Sequence, residues 1–371
     1  MPIKINPVLL MLLVVSLLSW QNVEAEVIDD LYDAKIAVND QSQRTQNKAF
    51  SLALQQVLIK VRGNSDLLSN QKITHAMTKV TPFIRSYSYE KQAAQLYLVI
   101  SFDPQRVENL IRNAGFPVWD KRRPDTLIWL AIKSSDGSAR QIATTSEYAE
   151  IYQQLSARAA QRGIRLMFPL WDLDDLQTLS VYDIWGGFST QITKASERYA
   201  VPSVLSARIY LTDNQSSDAT QNSVMSDEKS ATKWSADWTM IEGGGLLAGQ
   251  VQGDNPLDIA DGLIDALADQ LSEKYAIDLT QIDRTDSKIH IVVNNIDSLN
   301  YYSHALKSLE NMSVVNEATL IKQQGSRATF ELDLLGDVDD LTRALSLDNK
   351  IKPVVDDFGQ PILGLEFFWV K

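Results

Sequence analysis

Leu127-Ile128-Trp129-Leu130-Ala131-Ile132, opened by Thr126, is an unbroken apolar run of strand-forming length with no charge in it. A strand with only one wet face alternates apolar and polar residues, so this run predicts a strand covered on both sides. Downstream, Tyr148, Ile151, Tyr152, Leu155 and Ala159 fall at helical spacing within a helix expected from Ser146 to Arg162, with Gly163 as its stop. A strand over Ile164 to Phe168, a helix over Phe188 to Tyr199 and a strand over Ser203 to Leu211 follow. Strand, helix, strand, helix, strand is the pattern of a parallel α/β layer.

The neighbouring sequence extends this layer. Asp213 to Ser230 is poor in apolar residues and reads as a mobile loop. Beyond it, Trp234, Ala236, Trp238 and Met240 share one face of a strand, and Glu242-Gly243-Gly244-Gly245 turns into its partner. A long helix over Leu257 to Tyr275 carries Ile259, Leu263, Ile264, Leu267 and Leu271 inward.

Upstream, a strand over Leu31 to Val38 precedes a helix capped by Asp40 or Ser42 and ended by Gly63. Its core stripe is Ala49, Phe50, Ala53, Leu54, Val57, Leu58 and Val61. A helix over Gln71 to Val80, a hairpin over Ile84 to Glu90 and Ala94 to Phe102, and a helix opened by Asp103-Pro104 complete this part. Lys121-Arg122-Arg123-Pro124 is the one dense basic cluster and reads as a solvated linker. At the other end come a strand over Lys288 to Asn294 and a helix over Ser298 to Asn311. A hairpin around Gly325, a helix over Val338 to Leu345 and an extended tail follow, which is the split βαβ order. The fold class expected is therefore α/β and α+β, multi-domain. An N-terminal α+β unit spans 26–120, a central three-layer-like α/β unit 125–280, and a C-terminal ferredoxin-like (split βαβ) unit 287–371.

Lys4 precedes the apolar run Val8 to Leu18, and Val23 and Ala25 fit the small-residue positions of a signal-peptidase site. Residues 1–25 thus read as a signal peptide cleaved near Ala25-Glu26, because the apolar run is well short of the ~20 residues that span a bilayer. The expected location is the periplasm. With no cysteine in the chain, a lipoprotein anchor, disulfides and thiolate chemistry are excluded. The net charge of −12 argues against nucleic acid and against a basic surface for anionic lipid.

Catalytic motifs are missing. The three histidines, His75, His290 and His304, have no ligand spacing, so no metal or cofactor is expected. The SxxK matches at Ser226 and Ser230 sit in or beside the polar loop, and no GxSxG elbow exists. Gly243-Gly244-Gly245 with Ala248 mimics a dinucleotide loop but joins two strands. The remaining constellation is Trp171, Asp172, Asp174 and Asp175, with Asp183 and Trp185 soon after. It follows a parallel strand, where open α/β sheets place ligand crevices. Two readings compete: an acidic cleft that binds a cation, glycan or peptide or hydrolyses a bond, and helix caps beside two core tryptophans.

Several stretches resemble the proteobacterial envelope proteins grouped as domain of unknown function 2066. They are Leu31-Tyr32-Asp33-Ala34, residues 53–64 (ALQQVLIKVRGN), Gly115-Phe116-Pro117-Val118-Trp119, Arg123-Pro124 leading into residues 127–131, the Asp172–Asp175 segment, and Asp183-Ile184-Trp185-Gly186. The resemblance implies a Gram-negative exported protein and brings no activity, cofactor or catalytic residue with it. The function expected is a non-enzymatic module that binds an envelope protein or cell-wall component.

Overall fold

The computed structural model describes residues 30–119, 121–134, 139–212, 233–277, 288–312, 314–355 and 364–371. The expected signal peptide with its cleavage point and the loop expected over 213–230 lie outside the described residues. The described residues form a mixed α/β, multi-domain protein with three sheets, each with its own apolar core.

The first sheet contains β1 (Asp33–Val38), β2 (Ile84–Gln92) and β3 (Gln95–Phe102), antiparallel in the order β1-β3-β2. Helix α1 (Gln43–Arg62) starts where Ser42 accepts the Thr45 amide and stops at Gly63, whose φ is +82°. The stripe read from the sequence is buried, and packs with Leu98, Ile100 and Phe102 of β3. Helices α2 (Gln71–Thr78) and α3 (Pro104–Asn113, capped by Asp103) close this core.

The central sheet is built on β4 (Asp125–Lys133), the apolar run, which is buried at all seven interior positions. Next to it lie β5 (Arg140–Ile142), β6 (Arg165–Met167) and β7 (Ser203–Thr212), and then β8 (Lys233–Glu242) and β9 (Gly245–Gly253). The order is β5-β4-β7-β8-β9, with β6 also paired to β4. Strands β6 and β7 pair with β4 in parallel and the other pairings are antiparallel, so the sheet is mixed. Helices α4 (Ala149–Arg162) and α8 (Pro256–Tyr275) cover one face. The other face is covered by three short helices, α5 (Leu173–Thr178), α6 (Val181–Gly186) and α7 (Ser189–Ser196). Gly243 and Gly244 both have positive φ, the conformation of a two-residue hairpin turn between β8 and β9.

The third sheet takes β10 (Lys288–Asn294), β11 (Val315–Gln324), β12 (Arg327–Leu334), β13 (Ile351–Pro353) and β14 (Glu366–Trp369) in the order β11-β12-β10-β14-β13. Helices α9 (Leu299–Glu310) and α10 (Val338–Ser346) follow β10 and β12. The split βαβ order holds for β11-β12-β10, but the tail does more than extend. Its last strand, β14, inserts parallel to β10 and displaces β13 to the edge.

The basic cluster is not a solvated linker. Arg123 is 4% exposed, and its guanidinium lies 3.8 Å from the Trp119 ring centre. It donates to the carbonyls of Lys60 (2.5 Å), Arg162 (3.1 Å) and Gly163 (3.1 Å). Those carbonyls belong to the C-terminal ends of α1 and α4, where the last turn lacks internal donors and carries partial negative charge. Nearby, Arg162 reaches the carbonyl of Gly63 and the carboxylates of Asp265 and Asp269 on α8. Arg122 donates to the Ser308 carbonyl of α9, and Val118 pairs with Ile277. The three cores therefore meet at this segment.

Candidate interaction site

The segment after β6 crosses the sheet through Trp171, whose φ of +52° is unusual for a bulky side chain. Two contacts hold it there. Its amide donates to Asp175 Oδ2 at 2.8 Å, and its indole packs edge-on against Trp129 with ring centres 4.9 Å apart. Trp129 is itself fixed by its Nε1 donating to Ser196 Oγ.

Asp172 caps α5, accepting the amides of Asp174 and Asp175 at 3.1 Å each. Arg198, just beyond α7, grips Asp172 with two bonds of 2.6 and 2.8 Å. That guanidinium pulls the Asp172 carboxyl down to about 2. Asp175 is 1% exposed and fully engaged: Arg198 reaches Oδ1 at 3.1 Å, while the Trp171 amide and the Tyr199 hydroxyl reach Oδ2. Burial, helped by Asp175, pushes the Tyr199 phenol up to about 12. Asp174 points to solvent, 4.0 Å from Arg198. Asp183 closes a capping box with Ser180 on α6, accepting its amide and hydroxyl at 2.8 and 2.6 Å. Trp185 packs under Arg140 and beside Arg208.

The six candidate residues thus divide among separate environments instead of converging on one acidic cleft. Asp172 and Asp175 share Arg198, Asp183 serves its own helix, and Trp185 faces the sheet beyond α6. A general acid at neutral pH needs a carboxyl held protonated, by burial or by a like charge. Asp172 is driven the opposite way. Among the described residues, no group of three or more His, Asp or Glu is placed to hold a metal ion, and no helix is long and apolar enough to cross a membrane.

The clamp has a consequence that the sequence reading missed. With Trp171 and Asp175 turned inward, the neighbouring leucines are turned outward. Leu170 is 71% exposed, Leu173 68% and Leu176 53%; Tyr182 (66%) and Phe188 (56%) are exposed further along the chain. Leu173 and Leu176 lie one turn apart on α5 and share its outer face. Isolated exposed leucines are ordinary, but three in succession along a clamped segment make a candidate interaction surface. Its signal in the sequence is the Leu170-x-x-Leu173-x-x-Leu176 spacing, which reads equally well as a core stripe.

Comparison with known proteins places two family segments on this frame. Residues 25–120 match the model described as Domain of unknown function (DUF8605), and residues 288–359 match that of DUF2066. The chain carries a DUF2066 segment. That match covers most of the third sheet, whereas 31–34, 53–64 and 115–119, which also suggested the family, fall within the DUF8605 segment. No curated protein matches. Among solved structures, the lipoprotein GNA1162 from Neisseria meningitidis aligns at 13% identity over 40% of this chain and 99% of its own, with a TM-score of 0.23.

Proposed function

We propose that the protein is an exported, non-enzymatic binding module of the cell envelope that docks a partner protein on the Leu170–Leu173–Leu176 ridge. The exposed ridge carries this reading. Each of these side chains would gain about 1.5–3 kcal/mol on full burial, so a partner covering them gains affinity without reshaping the module. The Asp172–Arg198–Asp175–Tyr199 clamp supports it by fixing the ridge in advance. Export rests on the leader read in residues 1–25.

The test is a photo-crosslinking residue installed at Leu173 in cells, compared with one at the exposed Gln153 on α4. A discrete protein adduct at 173, missing at 153 and abolished by L170D/L176D, is the expected outcome. Identical adducts at both positions, or none at 173, would refute it. Edman sequencing of the protein recovered from cells tests the leader, and a chain still beginning at Met1 would overturn export.

A further inference from the structure

Helices α5–α7 shield β4 and the start of β7, but β7, β8 and β9 run on past them. Along β7 and β8, Ala207, Ile209, Ala236 and Trp238 point into the core under α4 and α8. The alternate residues point the other way, onto a face that no described helix covers. They are Arg208, Tyr210, Asp237 and Thr239, joined by Gln250 of β9. Buried sheet faces are apolar, so this composition marks a face in contact with water or with a polar ligand. The C-terminal end of α6, with Trp185, stands as a wall at its side. Arg208, Asp237, Thr239 and Gln250 line, with Trp185, an open groove of about 640 Å³, within the ~300–1,000 Å³ usual for small-ligand sites. Tyr210 lies beside it.

The floor is wired as one unit. Arg208 Nε donates to Asp237 Oδ2 at 2.9 Å, and its Nη1 donates to the Trp185 carbonyl at 2.6 Å. Tyr210 donates its hydroxyl hydrogen to Asp237 at 3.1 Å, and Gln250 Nε2 reaches Asp237 Oδ1 at 2.9 Å. Arg140 lies 4.8 Å from the centre of the Trp185 ring and fixes the indole at the rim. Such side chains lose little freedom when a ligand arrives.

We propose that this groove binds a saccharide chain. Its chemistry selects that class by elimination and by fit. Arg208 is neutralised by Asp237, so the floor offers no concentrated positive charge for a phosphate. The apolar lining, Ile184, Trp185, Trp238 and Ala248, is interspersed with polar groups in an open groove, which disfavours a lipid tail. Adjacent guanidinium, carboxylate, amide and phenol groups present donors and acceptors in alternation, which suits vicinal hydroxyls that both donate and accept. The indole supplies the apolar surface that the C–H face of a sugar ring needs. The groove does not depend on the leucine ridge, and the residues tested below touch neither it nor its clamp.

The experiment is binding of the full mature chain to an immobilised panel of neutral, N-acetylated and carboxyl-bearing oligosaccharides, with extended peptides of mixed sequence alongside. Retention of at least one saccharide class is expected, weakened about tenfold or more by Q250A and by D237N, a loss of roughly 1.4 kcal/mol. Q250A should keep the wild-type melting temperature within about 2 °C, because a change at an exposed position rarely alters stability; D237N loses the ion pair with Arg208 and is assayed well below its own melting temperature. Q250A is the safer of the two, since Gln250 is exposed on the edge strand. Retention of peptides instead of saccharides, no retention of any saccharide, or saccharide binding unaffected by both variants would overturn the proposal. L170D/L176D should leave saccharide retention unchanged, so failure here and failure of the ridge are separable.

Discussion

Replacing Gly63 by alanine tests the junction between the first two cores. Gly63 ends α1 at φ +82°, and a Cβ placed there would lie 2.2 Å from Ser272 Cβ and 2.7 Å from Trp119 Cε3. Two costs follow. A left-handed backbone on a residue with a Cβ costs about 1–2 kcal/mol. Forcing the added methyl against α8 and an immobile indole costs about 1–3 kcal/mol more. G63A should therefore destabilise by about 2–5 kcal/mol in total. Gly115 supplies the control. Its φ is +84°, but nothing lies within 4 Å of its Cβ position, so G115A should show only the backbone part. Glycine-to-alanine changes also stiffen the unfolded chain, and that contribution cancels in the difference. The assay is urea unfolding of both variants, followed by far-ultraviolet circular dichroism and tryptophan fluorescence. If G63A and G115A cost the same within ~0.5 kcal/mol, the close approach of α1 to α8 is wrong, and so is the junction built on it.

Truncation of Arg123 to alanine should cost about 3 kcal/mol or more, because it leaves buried carbonyls at two helix ends without a donor, and the same urea unfolding measures it. The folded-state carboxyl of Asp172 titrates at about 2, below its ordinary 3.8. Its contribution to stability is thus fully present above about pH 4 and is lost as the pH falls through 2; acid unfolding should show this slope in the wild type and lose part of it in D172N. The phenols of Tyr152 and Tyr199 are held up to about 12 against an ordinary 10. What they contribute is present below about pH 10 and lost as the pH rises through 12, and Y199F should remove one late-titrating tyrosinate from the absorbance curve at high pH.

The secondary structure was largely legible because each signal is local. Ser42 and Gly63 bound α1 as their side chains dictate, Asp103-Pro104 opens α3, and the apolar run over residues 127–132 is the twice-covered strand. Short helices were harder. The sequence suggests one helix capped by Asp172 or Asp174, but not the second turn at Val181–Gly186, because six residues carry too little periodicity to register. The candidate site was legible as a segment and not as a geometry. Asp172 and Asp175 look alike in the chain, but one caps a helix at the surface while the other is sealed beneath Arg198 and Tyr199, more than twenty residues away.

By itself, the sequence determined the absence of thiol chemistry, the acidic balance and the order of strands and helices, since these depend on composition and on neighbours within a few residues. Tertiary structure alone decided three things. Arg123 is buried rather than solvated because the carbonyls that receive it come from two other helices. The tail strand β14 enters the third sheet because β10 offered it a free edge. The leucines of α5 face water because Trp171 and Asp175 take the inner positions, and which side of a short helix is inner depends on what it packs against.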